Sequence, residues 1–524
     1  MTRWATTADL NRCVGCQTCT AACKHANATA PGIQWRKVLD IETGEFPDVR
    51  RSFMPVGCMH CDDAPCLDVC PTLATKKRDD GIVTIDYDLC IGCAYCIMAC
   101  PYQARSKTTE TSAAFGKGKV MRHETLREDP ERINVAQKCT FCVDRIDSGL
   151  AAGLTPGLDA DATPSCVNAC IAGALAFGDI EDQDSNVSQL LAENSHFRMH
   201  EDLNTGPGIY YLWDKADGNT DQSEPEMIPD PVGAAAISPK LQNSWDWRAS
   251  ANFILGGAGS GLFTASAIAA LFGLNVMWPM LAAMTLIGLG LFCVWLEIGR
   301  PWRFLNVYRN AKTSWMTREA MVVMPLFAVG LATVLTKSLI LGVVGAVFAL
   351  GFLYCQAQIL KASKGIPAWR QPEIITLILS TGLTEGVSVL LLYSAVFGGD
   401  LPVIGIALLV LIAARHLAWR SYRRALGAAS APSNTFAALD GATTNLGLPY
   451  QATLLGLLVI GLLSNDLQPV FLSLAAFLAL LSGGWFKYTL ITRAAFNQGY
   501  ATNHIPRRGA GNSARGIKPG WTKS

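Results

Sequence analysis

The stretch Cys90-Ile-Gly-Cys93-Ala-Tyr-Cys96-Ile-Met-Ala-Cys100-Pro101 decides the fold of the first half of the chain. Three cysteines stand at intervals of three residues, a fourth follows after four, and proline comes directly behind it. A loop with this spacing wraps three thiolates round one iron–sulfur cluster, and its fourth cysteine ligates the other cluster of a pair. The alternatives are a disulfide framework or a zinc ribbon, although zinc sites more often use two separated pairs.

Three further groups of cysteines precede and follow this stretch. Together the four groups hold sixteen cysteines, which is enough for four 4Fe–4S clusters with none left over. This arithmetic weakens the zinc interpretation. The groups are Cys13, Cys16, Cys19 and Cys23; Cys58, Cys61, Cys66 and Cys70; Cys90, Cys93, Cys96 and Cys100; and Cys139, Cys142, Cys166 and Cys170.

The exchange of the fourth cysteine predicts how the groups share their ligands. The second and third groups both end in Cys-Pro and form one pair, which leaves the first and fourth groups as the other pair. The four predicted ligand sets are Cys58, Cys61, Cys66 with Cys100; Cys90, Cys93, Cys96 with Cys70; Cys13, Cys16, Cys19 with Cys170; and Cys139, Cys142, Cys166 with Cys23.

Composition divides the chain of 524 residues into two parts. Residues 1–245 hold 16 of the 18 cysteines, whereas residues 250–490 are a succession of apolar runs. The predicted fold is an α+β ferredoxin-like double dicluster domain followed by an all-α membrane bundle of eight transmembrane helices. The expected boundaries are 1–215 for the cluster domain, 216–245 for a linker, 246–497 for the membrane anchor and 498–524 for a basic tail. A net charge of +1 says little, and nothing in the sequence resembles a nucleic-acid-binding surface, so no nucleic-acid partner is expected.

A transmembrane helix needs about twenty apolar residues. Eight runs meet or approach that length, and the third and seventh are short. They are 250–273, 277–297, 320–336, 338–360, 373–397, 402–420, 448–464 and 469–486.

Basic residues predict the orientation of this bundle, because cytoplasmic loops are rich in Lys and Arg. The connections after the second, fourth and sixth runs carry twelve basic residues, and the alternate connections carry Lys337 alone. The N-terminus reaches Cys13 without an apolar export signal. We therefore expect a multi-pass protein of the cytoplasmic (inner) membrane with its cluster domain on the cytoplasmic side, where thiols stay reduced. The twelve residues are Arg300, Arg303, Arg309, Lys312, Arg318, Lys361, Lys364, Arg370, Arg415, Arg420, Arg423 and Arg424.

Two segments of the soluble half and two of the membrane half resemble a known pair of proteins. Cys58-Met-His-Cys-Asp-Asp-Ala-Pro-Cys-Leu-Asp-Val-Cys-Pro71 and Phe177-Gly-Asp-Ile-Glu-Asp182 resemble the four-cluster subunit of molybdopterin oxidoreductases. That family includes dimethyl sulfoxide, polysulfide and nitrite reductases and sulfite dehydrogenase. Glu297-Ile-Gly-Arg-Pro-Trp-Arg303 and Ser314-Trp-Met-Thr-Arg-Glu319 resemble its haem-free membrane anchor. Ile171 departs from the pattern, since relatives often have proline after the last cysteine.

The resemblance implies a quinone as the exchangeable redox partner of the membrane half. His416 is its only histidine, so no bis-histidine haem is expected there. Candidate quinone residues are acidic or basic groups that could exchange protons or polarise a quinone carbonyl, and tryptophans that could line an apolar slot for the quinone tail. An equally good explanation is a structural Glu–Arg pair with tryptophans at the membrane interface. The candidates are Glu297, Arg300, Trp302, Arg303, Trp315 and Glu385.

The resemblance also implies a role without substrate chemistry of its own, since nothing in the sequence resembles a molybdopterin-binding domain. The chain is expected to link a separate molybdopterin catalytic subunit to the quinone pool, in anaerobic respiration or sulfur oxidation. A cytoplasmic cluster domain favours sulfite oxidation. The alternatives are reduction of dimethyl sulfoxide, a related S- or N-oxide or polysulfide, a module of a hydrogenase or disulfide reductase, and a coupling module that moves protons. Buried charge pairs linking helices would favour the last, but Glu385 is the only mid-helix carboxylate in the sequence, which argues against a proton channel.

Overall fold

The computed structural model describes residues 2–43, 46–47, 49–108, 129–215, 225–228, 237–443, 446–464, 466–505 and 514–521. The chain divides into two compact units. The first unit contains residues 1–240 and 497–523, and the second contains residues 241–496. The expected linker lies partly outside the described residues (216–224 and 229–236), as does the expected tail (506–513 and 522–524).

The first unit consists of short strands and short helices separated by the cysteine loops. Its strands are β1 (Trp4–Asp9), β2 (Lys37–Thr43), β3 (Arg50–Val56), β4 (Thr75–Lys77), β5 (Val83–Ile85), β6 (Ser106–Lys107), β7 (Ala136–Gln137), β8 (Leu175–Asp179), β9 (Asn194–Phe197), β10 (Ile209–Lys215), β11 (Glu226–Ile228), β12 (Thr502–Ile505) and β13 (Ala514–Pro519). Its helices are α1 (Thr18–Asn27), α2 (Pro65–Asp68), α3 (Tyr95–Ala99), α4 (Val143–Ala151), α5 (Ser165–Asn168) and α6 (Asn186–Glu193), with 3₁₀ turns at Pro130–Arg132 and Glu201–Leu203.

The largest sheet of this unit has four strands in the order β8-β1-β10-β9. The central strand β1 runs parallel to β10 and antiparallel to β8, so residues from the beginning and the end of the cluster domain are joined. Ala5 and Ala8 of β1 are buried, with Phe177 and Tyr211 on the neighbouring strands. The sheet therefore holds the two ends of the cysteine-rich segment together.

The other strands form hairpins and one small sheet. β2 pairs with β3, β4 with β5, and β6 with β7, all antiparallel. The chain after residue 496 contributes β12 and β13, and these form a three-stranded sheet with β11 in the order β11-β13-β12. The end of the chain thus packs into the first unit, where the sequence suggested only a basic tail.

The second unit is a bundle of apolar helices. They are α7 (Trp247–Leu271), α8 (Met277–Glu297), α9 (Trp315–Thr336), α10 (Leu339–Lys361), α11 (Ile374–Phe397), α12 (Leu401–Ala428), α13 (Ser433–Thr443), α14 (Leu448–Leu463) and α15 (Gln468–Thr492), with a 3₁₀ helix at Pro301–Arg309 between α8 and α9.

Seven helices among the described residues are long and apolar enough to cross a membrane, so the chain is a membrane protein. The eighth apolar helix, α14, has only 16 residues. At 1.5 Å per residue it is about 24 Å long, less than the roughly 30 Å of a hydrocarbon core. The expected count of eight spans is therefore met in part.

Three features of this unit differ from the expectation. α9 begins at Trp315 instead of 320, because Arg318 and Glu319 lower the hydropathy of a turn that is helical nonetheless. α12 continues to Ala428 and contains Arg415, which is fully buried and so belongs to no loop. That leaves eleven of the twelve counted basic residues to favour the orientation. α13 was not anticipated.

Glycine lets α7 and α11 approach closely. A Cβ atom at Gly386 of α11 would collide with the backbone of Gly261 and Leu262 in α7. Small residues that allow such contacts are typical of helix pairs in membranes. The approach fixes these two helices against each other at the middle of the bundle.

We expect Gly386→Ala to destabilise the bundle by about 1–3 kcal/mol, because rigid backbone cannot move aside for the added methyl group. The thermal midpoint in detergent measures the effect. Gly456→Ala is the matched control, since an added Cβ there meets no described atom within 4 Å. Equal midpoints for the two variants would contradict the close packing of α7 and α11.

Candidate functional site

The sixteen cysteines of the first unit gather into sets of four. Three cavities are each lined by four cysteines, three from one sequence group and one from another. The sets are Cys13, Cys16, Cys19 and Cys170 (the Cys13 set); Cys58, Cys61, Cys66 and Cys100 (the Cys58 set); and Cys70, Cys90, Cys93 and Cys96 (the Cys90 set).

The remaining four cysteines form the Cys139 set: Cys23, Cys139, Cys142 and Cys166. Cys23 lies within electrostatic range of the other three. The side-chain amide nitrogen of Asn27 is 3.7 Å from the Cys23 sulfur and 3.8 Å from the Cys142 sulfur. The structure thus brings together the same four sets that the sequence assigned to four clusters, while ligation of iron by them stays a prediction.

Local backbone conformation shapes each loop for this grouping. The residue before the second cysteine of every group has a positive φ: Gly15 (71°), His60 (43°), Gly92 (70°) and Phe141 (55°). Left-handed residues turn successive N–H groups inward, and such concavities bind anionic groups including iron–sulfur clusters. The backbone N–H of Phe141 is 3.4 Å from the Cys139 sulfur, which fits that role.

Two buried arginines contact sulfurs of the Cys58 set and the Cys139 set. Arg105 Nη2 donates to Cys66 Sγ at 3.0 Å, and Arg36 Nη2 to Cys166 Sγ at 3.7 Å. Burial opposes the charge of Arg36, but the thiolates of Cys166 and Cys139 outweigh it and raise its pKa above the usual value. Its Nε and Nη1 have no hydrogen-bond partner among the described residues. Buried cations beside the thiolates, one of them with unpartnered donors, fit an anionic cluster.

The sets follow one another in a row. Cys96 of the Cys90 set lies within electrostatic range of Cys66 in the Cys58 set. Cys58 lies within the same range of Cys139 in the Cys139 set. Cys166 of the Cys139 set lies within that range of Cys19 in the Cys13 set. The resulting order is the Cys90, Cys58, Cys139 and Cys13 sets.

A histidine and a phenylalanine stack at the middle of this row. His60, between Cys58 and Cys61, lies on the ring of Phe141 at a centroid distance of 3.7 Å. His60 Nδ1 accepts a hydrogen bond from the Val83 N–H at 3.0 Å. Burial lowers the pKa of His60 well below its usual value, so the ring is neutral. The contact joins the loops of the two middle sets.

Burial also raises the pKa of the thiols themselves, to about 11 for Cys19 and about 12 for Cys96. A thiol with a raised pKa is protonated at neutral pH, and a cluster binds the thiolate. Cluster assembly at these positions therefore releases protons and is favoured as pH rises.

In the second unit the candidate quinone residues fall into two places. Glu297 is buried at the end of α8 and accepts a hydrogen bond from the Asp246 N–H at 3.2 Å. Trp302 is 87% exposed and meets Trp295 edge-on, while Arg300 and Arg303 lie in the same connection and are half-buried. Trp315, at the start of α9, packs edge-on against Tyr354 of α10.

Glu385 is not with these residues. It lies near the middle of α11, fully buried, and pairs with Lys487 of α15. Lys487 was missed because the expected last span stopped at 486, one residue before it. The sequence did offer a signal, because the last apolar run continues in a helical pattern past residue 486 and so includes Lys487.

Sequence reasoning also missed a polar cluster near Trp315. Glu319 of α9 is buried and within hydrogen-bonding range of Asn252 of α7 and Gln356 of α10. We call these three residues the Glu319 cluster. Gln356 Nε2 donates to the Asn252 carbonyl at 3.0 Å. One oxygen of each of the three side chains has no hydrogen-bond partner among the described residues, which leaves three buried acceptors.

Comparisons with known proteins show what the N-terminal part of the chain is similar to. The family described as 4Fe-4S dicluster domain matches residues 49–129. A selenate reductase subunit of Mesobacillus selenatarsenatis is 39% identical over 221 residues, which cover 40% of this chain and 72% of that protein. A putative iron-sulfur subunit of the dimethyl sulfoxide reductase of Halobacterium salinarum is 38% identical and covered to 79%. A sulfite dehydrogenase subunit of Allochromatium vinosum is 36% identical and covered to 83%.

Arg105→Met is expected to lower the reduction potential of the cluster held by the Cys58 set, because the guanidinium stabilises the more negative reduced state. A hydrogen bond to a charged group is worth about 1.5–3 kcal/mol. For a one-electron couple that corresponds to about 60–130 mV. EPR-monitored redox titration measures the shift. Arg51→Met, which removes an exposed ion pair with Asp40, is the control. Unchanged potentials in both variants would contradict the role of Arg105.

Proposed function

The chain belongs, through its N-terminal 40%, to the family of iron–sulfur subunits that includes the matched proteins of the selenate reductase and sulfite dehydrogenase complexes, and from this premise we propose that it carries electrons between a separate molybdopterin catalytic subunit and the quinone pool. The observation that carries the proposal is the row of four cysteine sets, each drawn from two sequence groups. Substrate chemistry belongs to the partner subunit in this proposal.

Four 4Fe–4S clusters occupy the four sets in this proposal, in the order of the row. Cubanes suit sets of four thiolates that lie in loops with inward-facing N–H groups. Electrons pass from set to set, with the His60–Phe141 contact at the central step. Arg105 and Arg36 lie beside the two middle sets and raise the potentials of those clusters relative to the same sites without a cation.

The quinone head group binds near the Glu319 cluster in this proposal. Glu319 lies four residues from the start of α9, Asn252 five from the start of α7, and Gln356 five from the end of α10. At 1.5 Å per residue, all three are about 6–8 Å inside helix ends that lie at the end of the bundle carrying the basic connections. The three unpartnered oxygens can accept hydrogen bonds from the hydroxyl groups of a quinol, and Glu319 can donate to a quinone carbonyl when it is protonated.

Reduction of a quinone consumes two electrons and two protons, so the site needs a proton donor. Glu319 is suited to this role by its burial beside the two amides. Glu297, Arg300 and Arg303 lie at the same end of the bundle and are proposed to serve the proton exchange with solvent, and Trp302 and Trp315 to wall the slot for the tail. Glu385 has its own ion-pair partner and is left out of this site. No haem takes part, since His416 is the only histidine between residues 241 and 496.

Sulfite oxidation is the proposed physiological reaction. Eleven basic residues lie in or beside the connections after α8, after α10 and at the end of α12, against Lys337 alone in the opposite connections. With an eighth crossing completed by α13 and α14, both ends of the bundle face the cytoplasm, and so does the cluster domain. One relative is a sulfite dehydrogenase subunit. Reduction of dimethyl sulfoxide or a related compound is the second candidate, favoured by the 38% identity to the halobacterial protein.

Glu319→Gln should slow electron exchange with quinone by about 100-fold or more, because the amide cannot supply a proton. The purified chain is reduced chemically, mixed with a soluble quinone, and cluster reoxidation is followed by stopped-flow absorbance. Iron content should stay at about sixteen per chain, four for each cluster. Asp466→Asn, an exposed carboxylate between α14 and α15, is the control.

Two results would refute these assignments. An iron content near eight in the native chain would contradict four clusters. Strong slowing by Glu297→Gln and Arg300→Ala, with normal kinetics in Glu319→Gln, would move the head group to the connection after α8.

A reporter enzyme fused after Ser524 should be active only when it is a type that folds in the cytoplasm. The reason is that the basic connections and the chain end lie on one side if eight segments cross the bilayer. A paired fusion within the α9–α10 connection, after Lys337, should give the opposite result. Periplasmic activity of the Ser524 fusion would remove the argument for sulfite oxidation.

A further inference from the structure

The chain returns to the first unit after the last membrane helix. Residues 497–523 belong to the first unit, although the helix before them, α15, belongs to the second. The structure describes residues 497–505 and 514–521 of this part, and we call them the chain-end segment. Its residues Gln498 and Trp521 are each only 1% exposed. The segment is therefore packed into the interior of the first unit.

The two parts of the chain-end segment hold each other. Trp521 Nε1 donates to the Gln498 carbonyl at 3.0 Å, and the Lys518 ammonium lies 3.5 Å from the centre of the Trp521 ring. The strands β12 and β13 pair with each other, and a Cβ at Gly516 would collide with the Thr502 carbonyl. The described parts of the segment thus form one packed element.

Strands of the cluster domain hold the segment in turn. His504 of β12 stacks on Trp213 of β10, with 4.2 Å between the ring centres and 10° between the ring planes. The Tyr500 N–H donates to the Ile237 carbonyl at 2.8 Å. β13 runs parallel to β11. The segment is thereby attached to the first unit at several points along its length.

One cysteine set lies directly under this segment. The cavity of the Cys58 set is lined, beside its cysteines, by residues that include Pro101 and Tyr102. Gln498 Nε2 donates to the Pro101 carbonyl at 3.5 Å. The His200 ring is 5.9 Å from the Tyr102 ring, and His200 Nε2 donates to the Gly499 carbonyl at 3.3 Å. The chain-end segment therefore lies against the wall of this cavity.

Tyr500 is the residue of the segment that reaches the set itself. It is 4% exposed and lies within electrostatic range of Cys100. The residue before it, Gly499, has a φ of 68°, and a Cβ there would come within 2.6 Å of the Ile237 carbonyl. Glycine tolerates both the left-handed backbone and the close contact. This turn brings the Tyr500 side chain into the interior beside Cys100.

Water beside an iron–sulfur cluster changes its redox chemistry. The reduced cluster carries one more negative charge than the oxidised cluster, and water stabilises the more highly charged state. Exclusion of water therefore lowers the reduction potential of a cluster, and it also keeps soluble oxidants away. The row of sets is not covered evenly, since Cys16 of the Cys13 set is exposed whereas Cys58, Cys61 and Cys66 are buried.

From these contacts we infer that the chain-end segment is the cover of the cluster in the Cys58 set, and that the Tyr500 ring keeps water from that cluster. The inference rests on the proposed function in one respect, the occupation of this set by a 4Fe–4S cluster. His200 and Trp521 position Tyr500 by holding the carbonyls of the two residues before it. Because the segment follows α15, the cover reaches its cluster only after the whole membrane half has been synthesised.

The test is an EPR-monitored redox titration of the full chain in detergent. Cys100→Ser changes a ligand of the cluster in the Cys58 set and so identifies its signal. Tyr500→Ala should raise the potential of that cluster alone, because water enters beside it. Tyr500→Phe keeps the ring and should retain the native potential. Tyr210→Ala is the matched control, since this buried tyrosine of the same unit packs against Ala5 and Val187, and it should leave all potentials unchanged.

A second measurement follows attack by external ferricyanide. Ferricyanide takes one electron from a 4Fe–4S cluster, the oxidised cluster releases one Fe²⁺, and the three-iron cluster that remains is detected by EPR. For the cluster of the Cys58 set, the conversion should be about tenfold faster in Tyr500→Ala than in the native chain, because oxidation follows exposure. Trp521→Leu, which removes the hydrogen bond to the Gln498 carbonyl, should accelerate the conversion less.

Three results would overturn the inference. One is a native potential or a native ferricyanide rate in Tyr500→Ala, or in Trp521→Leu if Tyr500→Ala does not retain its iron. Another is an equal shift of the potential in Tyr500→Phe, which would assign the effect to the hydroxyl group. The third is an equal shift in Tyr210→Ala, which would mean a general loosening of the unit. An iron content near eight in the native chain would instead refute the proposed function.

Discussion

The burial of sixteen sulfurs in four sets is the constraint on which the first unit depends. The strands of this unit are short, and the cysteine loops take up part of its buried interior beside apolar side chains such as Phe141, Phe177 and Tyr211. Left-handed residues before each second cysteine turn the loops inward, and Arg36, Arg105 and Lys138 bring buried positive charge. Burying three cations is favourable only beside negative charge, so the arginines and the thiolates require each other.

Polar groups are placed in the second unit under a different constraint. A side chain within the hydrocarbon layer must find its partner inside the bundle. Asn252, Glu319 and Gln356 do so near the helix ends, whereas Glu385 and Arg415 lie near the middle of their helices and Lys487 reaches Glu385 from nearer the end of α15. Glycines on α7, α11 and α15 bring the backbones close enough for these side chains to meet. The two groups of polar residues contact consecutive backbone carbonyls of α7, those of Asn252 and Phe253.

Several elements were predictable because they depend on local spacing. The helix Tyr95–Ala99 and the strand Val83–Ile85 are elements of this kind, since the cysteine spacing and the turn at Gly81 leave few alternatives. The apolar runs mark all eight apolar helices, and the largest error is at the polar end of α12, which continues to Ala428 instead of 420. The helix Ser433–Thr443 was not predictable from hydropathy, because its sequence is short and mixed.

By itself the sequence determined the grouping of the cysteines, the division into a cluster domain and a helical bundle, and the family to which the first part belongs. Spacing along the chain and runs of hydropathy are local properties, and they are sufficient for those conclusions. Only the tertiary structure decided that Arg415 is inside the bundle, that Glu385 faces Lys487, and that Glu319 meets Asn252 and Gln356. The residues of these pairs are 37 to 102 positions apart along the chain, and no periodicity relates them. Their partners are set by which helices pack together and at what depth, which is a property of the folded bundle.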